Sequence, residues 1–456
     1  MTIKFYNSLT NQKEDFVPIR EGEVGMYVCG MTVYDNCHLG HARAMMAFDI
    51  LARYLRYQGY KLNFTRNITD IDDKIIDRAN ENKETIDALT ERTIASMHED
   101  FLKLGLELPT NEPRATDHIE GMINMISKLI EKGHAYHSEG GDVFFAVRTF
   151  PEYGKLSNKN IDDLNPGSRV EADGSKKDPL DFVLWKSAKQ NEPSWDSPWG
   201  LGRPGWHIEC SVMSLENLGK HFDIHGGGPD LLFPHHENEI AQSECSSDHK
   251  FANYWMHSGL LKINGEKMSK SLGNFAMLKD LFASYHPEVI RYYLISSHYR
   301  SSLNFDNESL DQARSALTRL YQAASLVPSQ ESDLHDNSVK EFINSMNDDL
   351  NTPEALSTLF GLAKSINSSQ DAQDQSMYAA TMRELGKVLG LLNESPEAFF
   401  QYGANLTDEE IGKKIEERNK ARDAKDFQKA DQIRDELAAQ GILLDDSSDG
   451  TTWKKS

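Results

Sequence analysis

The sequence predicts an α/β protein: a parallel-sheet domain interrupted by an insertion, followed by an α-helical bundle and a small C-terminal module. Three observations predict it. A strand–loop–helix–strand pattern fills Val24 to Thr69. A second apolar, glycine-rich block at roughly 205–262 can resume the same sheet. Beyond about residue 305 the strand patterns stop and helix stripes take over. At 456 residues the chain is also too long for a single core.

Taken in order, Met26–Cys29 is strand-like, and residues 30–40 read as a loop rich in Gly, Asn and Asp. Ala42 to Tyr57 carries Met45, Met46, Phe48, Leu51, Ala52 and Leu55 at helical spacing. Gly59 fits a C-cap, and Lys61 to Ile68 resumes extended structure. A βαβ unit of this kind predicts ligands at the carboxyl ends of its strands. Residues 112–200 read as an insertion, with a helix near 117–131 and a strand within Gly141–Val147. Leu310, Ala313, Leu317, Leu320 and Ala324 form one helix stripe; Met382, Leu385, Leu389 and Leu392 form another. Thr352 before Pro353 fits an N-cap with proline at the first helical position. Thr407 and Glu410 have the spacing of a capping box that opens a last helical unit. There is no internal repeat.

Forty-nine basic against seventy-one acidic residues give a formal charge of −22, which by itself argues against a nucleic-acid partner. No apolar run approaches the ~18 residues of a membrane-spanning helix, and the N-terminus lacks a signal peptide's apolar region. Cys29, Cys37, Cys210 and Cys245 are too few for a disulfide framework; reduced thiols or metal ligands fit better. The expectation is a cytoplasmic protein with no membrane association.

Three constellations can carry chemistry. His38-Leu39-Gly40-His41 lies at the loop-to-helix junction, where amides and two imidazoles suit a phosphate gaining charge in a transition state. Two ordinary loop histidines are the plain alternative. Lys267-Met268-Ser269-Lys270-Ser271, between Gly265 and Gly273, can wrap a polyphosphate as a moving lid; a solvated basic turn is its alternative. Cys29 and Cys210, with an imidazole and a carboxylate on one helix face, make a four-ligand zinc set. Spacing alone leaves His235 and His236 both open for that set, with Glu237, Cys37 and Cys245 beside them. Asp70, Asp72 and Asp73 read as a helix start.

The two phosphate motifs, in this order on a nucleotide-type sheet, resemble those of class I aminoacyl-tRNA synthetases. More narrowly, the chain resembles the cysteinyl-tRNA synthetase family along nearly its whole length. The matching blocks are Tyr27–Gly30, Asn67–Lys74, Gly205–Ser211 and Phe233–Ile240. Leu39 replaces the usual isoleucine, and Pro229 is an uncommon residue after Gly226–Gly228. The resemblance implies a Rossmann-type catalytic domain in two halves (1–115 and 201–262) around a connective insertion (116–200). A lysine-loop and stem-contact region (263–309), a helical bundle (310–400) and an anticodon-binding domain (401–456) follow.

It further implies an ATP-dependent aminoacyl-tRNA ligase. L-cysteine is activated with ATP to cysteinyl-adenylate and transferred to the 3'-terminal adenosine of tRNA(Cys), by a monomer. One Zn2+ per chain, on Cys29, Cys210, His235 and Glu239, would recognise the substrate thiol, and Mg2+ would accompany ATP. A soft metal site separates cysteine from near-isosteric serine where shape does so poorly. His38, His41, Lys267 and Lys270 take the catalytic roles. Gly40, Gly226, Gly228 and Asp230 join them around ATP, with a Gly226–Gly228 turn and Asp230 against the ribose. Gly30, Thr69 and Trp206 line the amino-acid pocket. A small-amine ligase and a silent RNA-binding paralogue are the competing readings.

The C-terminal placement of the anticodon domain in that family gives meaning to a local charge. Residues 413–434 hold eight basic and five acidic side chains, a net +3. At about 100° per residue, Lys414, Arg418, Arg422 and Lys425 share a stripe suited to an RNA backbone. A solvated helix with i, i+4 ion pairs is the alternative that composition favours. Phe427 offers a stacking face, and Arg422, Asp431 and Asp446 offer groups for base edges.

Overall fold

The computed structural model describes residues 2–163, 176–190, 192–267, 275–404, 406–447 and 450–455. Two compact units result. One comprises Met1–Met277, Leu294–Phe305 and Ile343–Ala355; the other comprises Leu278–Tyr293, Asp306–Phe342 and Leu356–Ser456. Among the described residues no helix is long and apolar enough to cross a membrane.

In the first unit an N-terminal hairpin pairs β1 (Lys4–Asn7) with β2 (Gln12–Asp15). Next come β3 (Glu23–Thr32), α1 (Leu39–Tyr57) and β4 (Lys61–Thr69), the expected parallel unit. β3 runs past the expected loop start at Gly30: after a register shift between Val28 and Met31, Met31 and Thr32 pair with Ile68 and Thr69. Pairing with the end of β4 overrides the loop-like composition there. Gly59 ends α1 as expected: at φ +88° it donates to Arg56 O, while Tyr60 N–H reaches back to Leu55 O.

Helices α2 (Asp73–Asn82), α3 (Ile86–Lys103) and α4 (Ile119–Glu131) lead into the insertion. Its antiparallel sheet joins β5 (Ala135–His137), β6 (Val143–Phe145), β7 (Phe182–Ser187) and β8 (Gly202–Pro204) in sequence order. The acidic cluster does structural work, as expected. Asp72 caps α2, accepting from Lys74 N–H, and Asp73 receives Lys186 and Arg203 from β7 and β8.

Helix α5 (Trp206–Leu218), β9 (Phe222–Gly227), α6 (Glu237–Ser247) and β10 (Ala252–His257) complete the parallel sheet, in the order β10-β9-β3-β4. β3 and β9 are neighbours although the chain leaves β3 toward β4, so strand order reverses between them. The carboxyl ends at such a reversal are where α/β sheets bind ligands. Tyr27, Ile126, Trp185, Ile208, Met213 and Trp255 belong to the core beneath. The glycine run at 226–228 is not a turn: β9 continues through Gly227. A Cβ at Gly226 would lie 2.1 Å from the Phe48 ring of α1, so glycine is there for close packing.

β11 (Leu261–Ile263) forms a hairpin with β12 (Glu266–Lys267). Helices α7 (Leu278–Ser284) and α8 (Pro287–Ile295) follow, then β13 (Leu303–Phe305), which pairs in parallel with β11. The remaining helices are α9 (Asn307–Ser325), α10 (Asp336–Asn347), α11 (Thr352–Ser368), α12 (Ala372–Val388), α13 (Pro396–Gln401), α14 (Asp408–Asp423) and α15 (Phe427–Ala439).

Thr352 does not cap α11. Its hydroxyl donates to Ile295 O at 2.7 Å, and Asn351 Oδ1 accepts from Glu354 N–H instead. The Thr407–Glu410 capping box is present as expected. Strands do not stop at 305: β14 (Ile442–Ser447) and β15 (Gly450–Lys455) form an antiparallel hairpin. Ile442 joins Ile411, Ile433 and Leu437 in a small core with α14 and α15, which two helices alone would leave open.

Candidate active site

The histidine motif sits where β3 hands over to α1. His38 is the N-cap of that helix; its side chain accepts from His41 N–H at 3.2 Å, and His41 Nδ1 faces the His38 amide at 3.4 Å. The two rings stack at 3.5 Å. The imidazoles thus form a reciprocal cap that holds them at a helix N-terminus, where negative charge is favoured. The chain beyond the lysine loop is tied to the same point. Leu39 N–H donates to Ala276 O, Met277 bridges His38, and the Phe275 ring lies 5.4 Å from that of His38. Lys267 ends β12, while Lys270 lies outside the described residues.

A second cluster lies in the buried floor at the β3 and β9 ends. Cys29 comes from β3, Cys210 from α5, and His235 and Glu239 from the turn into α6 and its first residues. Cys29 Sγ is 3.7 Å from Cys210 Sγ and 3.4 Å from Glu239 Oε1, and His235 Nε2 is 3.1 Å from the same oxygen. The four ligand atoms all lie within 4.8 Å of one another, and every residue is buried. Two thiolates on one tetrahedral zinc stand about 3.8 Å apart, given Zn–S bonds of ~2.3 Å. The donor chemistry and this separation both fit a divalent soft metal.

The charges are consistent with such a load. Burial and the neighbouring Cys210 push the Cys29 thiol well up. Burial also opposes ionisation of Cys210, yet hydrogen bonds from Cys29 and His235 bring it down to about 6. Against burial, Glu239 and Cys210 draw His235 up to about 10, while His225 and His235 hold Glu239 well below the carboxylate range.

Sequence spacing did not reveal His207, His225 and His257 around this set. His225, on β9, places Nε2 2.8 Å from Glu239 Oε2, and His207 Nδ1 lies 2.8 Å from His235 Nδ1. His236 faces His257 Nε2 at 2.8 Å, and His257 in turn faces Ser8 Oγ. Cys29 and Glu239 form a second possible donor group with His225 and His236. The signal available was a histidine inside a strand, His225-Gly226-Gly227, and a histidine directly after Trp206.

Gly30, Thr69 and Trp206 converge on this floor. A Cβ at Gly30 would lie 1.7 Å from Asn67 O, so no side chain fits between β3 and β4 there. Thr69 is buried and donates to Glu209 Oε2 at 3.0 Å. Burial, then the charge of Cys210, pushes the Glu209 carboxyl well up, against the Thr69 hydrogen bond. Trp206 is 38% exposed, and its ring packs 4.2 Å from that of His235. Gly228 follows β9, and Asp230 is exposed. Cys37 is buried beside Met31, and Cys245 is buried in α6; neither joins a donor group among the described residues.

In the second unit, Arg418 is nearly buried and makes two hydrogen bonds to Asp446, at 2.8 and 2.7 Å; Arg422 adds a third at 2.9 Å. Lys414 pairs with Glu436 across to α15, and Lys413–Glu409 and Lys420–Glu416 are i, i+4 pairs. Phe427, at the start of α15, is 63% exposed.

These two clusters on one nucleotide-type sheet define a class I synthetase arrangement. A family model described as "tRNA synthetases class I (C) catalytic domain" matches residues 15–315, and one described as "DALR domain" matches residues 341–393. A cysteine–tRNA ligase of Methylococcus capsulatus is 56% identical, covering 99% of this chain and all of that protein. The Halorhodospira halophila cysteine–tRNA ligase is also 56% identical, covering all of both. The chain belongs to the cysteine–tRNA ligase family of class I synthetases. Among solved structures, a Mycobacterium tuberculosis methionyl-tRNA synthetase with methionyl-adenylate shares the fold at TM-score 0.57 and 16% identity, covering 80% of this chain and 89% of that one. An Agrobacterium radiobacter leucyl-tRNA synthetase ternary complex does so at TM-score 0.58 and 10% identity, covering 94% and 95%.

Proposed function

We propose that this protein is a cytoplasmic cysteine–tRNA ligase that activates L-cysteine with ATP and esterifies it to tRNA(Cys). The observation that supports it best is the joint placement, at the carboxyl edge of one sheet, of a two-sulfur donor set and a histidine-capped helix start. The cysteine carboxylate attacks the α-phosphate of ATP, pyrophosphate leaves, and a terminal ribose hydroxyl of the tRNA then displaces AMP from the carbonyl. His38 and His41 stabilise charge on the reacting phosphate, and Lys267 and Lys270 hold the departing pyrophosphate, with Mg2+ accompanying ATP. Gly40, Gly226, Gly228 and Asp230 surround the nucleotide, and Gly30, Thr69 and Trp206 the amino acid.

Cys29, Cys210, His235 and Glu239 would hold one Zn2+. When bound, it supplies a soft coordination position that a cysteine thiol fills far better than a serine hydroxyl. Around it, His225 and His207 orient Glu239 and His235, and Trp206 covers the pocket. Arg418, Arg422, Phe427, Asp431 and Asp446 form the tRNA-facing set, with Phe427 free to stack on a base and Arg418 acting through Asp446.

Cysteine-dependent ATP–pyrophosphate exchange followed by charging of purified tRNA(Cys) tests the reading. Exchange without charging would instead indicate transfer to a small amine. For the metal, chelation should collapse the preference for cysteine over serine; an unchanged preference sinks the zinc assignment.

A further inference from the structure

A chain of hydrogen bonds runs from β3 to α5 beneath the pocket. Gly30 N–H donates to Asn67 Oδ1 at 2.9 Å, Asn67 Nδ2 donates to Thr69 Oγ1 at 3.3 Å, and Thr69 Oγ1 lies 3.0 Å from Glu209 Oε2. Each orientation follows from the one before. An N–H meets only an acceptor, so Oδ1 of Asn67 faces Gly30 and its amino group faces Thr69. A hydroxyl has one proton and two lone pairs. With Asn67 donating to one lone pair, the proton goes to Glu209 Oε2, which accepts at 3.0 Å either as a carboxylate oxygen or as the carbonyl oxygen of the neutral carboxyl, and a single lone pair is left over.

We propose that Glu209 is a positioning residue for the substrate's α-ammonium: by taking the only proton of Thr69, it makes that hydroxyl an obligate acceptor for a cationic amine. The inference rests on reading Thr69 as part of the amino-acid pocket and adds the chemical class that it selects. Glu209 and Cys210 are consecutive on α5. One therefore sets the amine contact while the next supplies a sulfur donor, which fixes the spacing of the two substrate ends. Glu209 is 1% exposed and Thr69 2%. The plain alternative is a structural tie between α5 and β4.

Cysteamine, which keeps the amine, and 3-mercaptopropionate, which lacks it, separate the two as competitive inhibitors of exchange. Glu209→Ala should raise the cysteine KM and the cysteamine inhibition constant together, by roughly ten- to a hundredfold, the worth of a hydrogen bond to a charged group. The 3-mercaptopropionate constant, the ATP KM and zinc per chain should stay within about twofold, a small fraction of that energy. Glu209→Gln keeps a carbonyl acceptor and should restore most of the amine affinity. If Glu209→Ala fails to fold, Thr69→Val must show the same split. Equal losses for both inhibitors, or loss of zinc, overturn the proposal in favour of the structural tie. Absence of cysteine-dependent exchange in the unaltered protein would defeat the underlying functional reading instead.

Discussion

Glu239 and Asp446 are both held well below the usual carboxylate range, by opposite means. Glu239 is wholly buried, and burial works against its ionisation; His225 and His235 overcome that cost. Asp446 is partly exposed, and hydrogen bonds from Arg418 and Thr451, with Arg422 nearby, suffice. In the first region the charges meet inside a buried donor set. In the second they satisfy one another at the surface. Removing a charge should therefore abolish chemistry in the first region, whereas in the second it should cost stability alone.

The largest expected break is His38→Asn. Asparagine still caps a helix, so stability should change by less than about 1 kcal/mol. Pyrophosphate exchange should fall roughly 10²–10³-fold, as when a preorganised group at a developing charge is lost. Matched losses in both would make the histidine pair merely a cap. His225→Gln comes next, and should weaken metal affinity by roughly 10–100-fold in competition with a chelator. Unchanged affinity would remove His225 from the orientation of Glu239.

Glu288, in the second unit, tests burial without a ligand. It accepts from Tyr321 Oη and Leu392 N–H, and burial pushes it from 4.5 up to about 7. The native chain then keeps a proton that the unfolded chain releases. Stability should fall as pH rises from about 4.5 to about 7 and level off above, by about 3 kcal/mol in total. Glu288→Gln should flatten that slope in denaturant titrations across the window. The smallest effects belong to the exposed pairs. Glu416→Gln should cost under ~0.5 kcal/mol, whereas Arg418→Ala, losing a bidentate and nearly buried contact, should cost about 1–3 kcal/mol in thermal unfolding.

Much of the fold was legible where its signals are local. Helical spacing in α1, Gly59 past its end and the Thr407–Glu410 box each lie within a few residues. What sequence missed is set by distant contacts. Gly226 and Gly227 look like a turn, but they pair with Met256 and His257 of β10, and the Phe48 ring of α1 packs against Gly226 where a Cβ would stand. Thr352 has an N-cap's sequence position, but its hydroxyl is drawn to Ile295 O. The C-terminal hairpin was hidden by the acidic residues within 445–449, which obscure the short strand patterns on either side. The candidate site shows the same division. Two motifs could be read as contiguous words, but His225 of β9 and His207 of α5 meet Glu239 and His235 only once the chain has folded.

The chain order of that donor set carries a kinetic consequence. Cys29 and Glu239 are 210 residues apart, and the whole insertion sheet lies between them. The floor of the pocket thus closes a long loop, a contact of high sequence separation that gains nothing until both halves of the sheet have formed. During synthesis it cannot assemble before α6 has left the ribosome. A metal ion arriving earlier meets a donor set that still lacks Glu239, so complete loading should follow the joining of the two halves of the sheet rather than precede it.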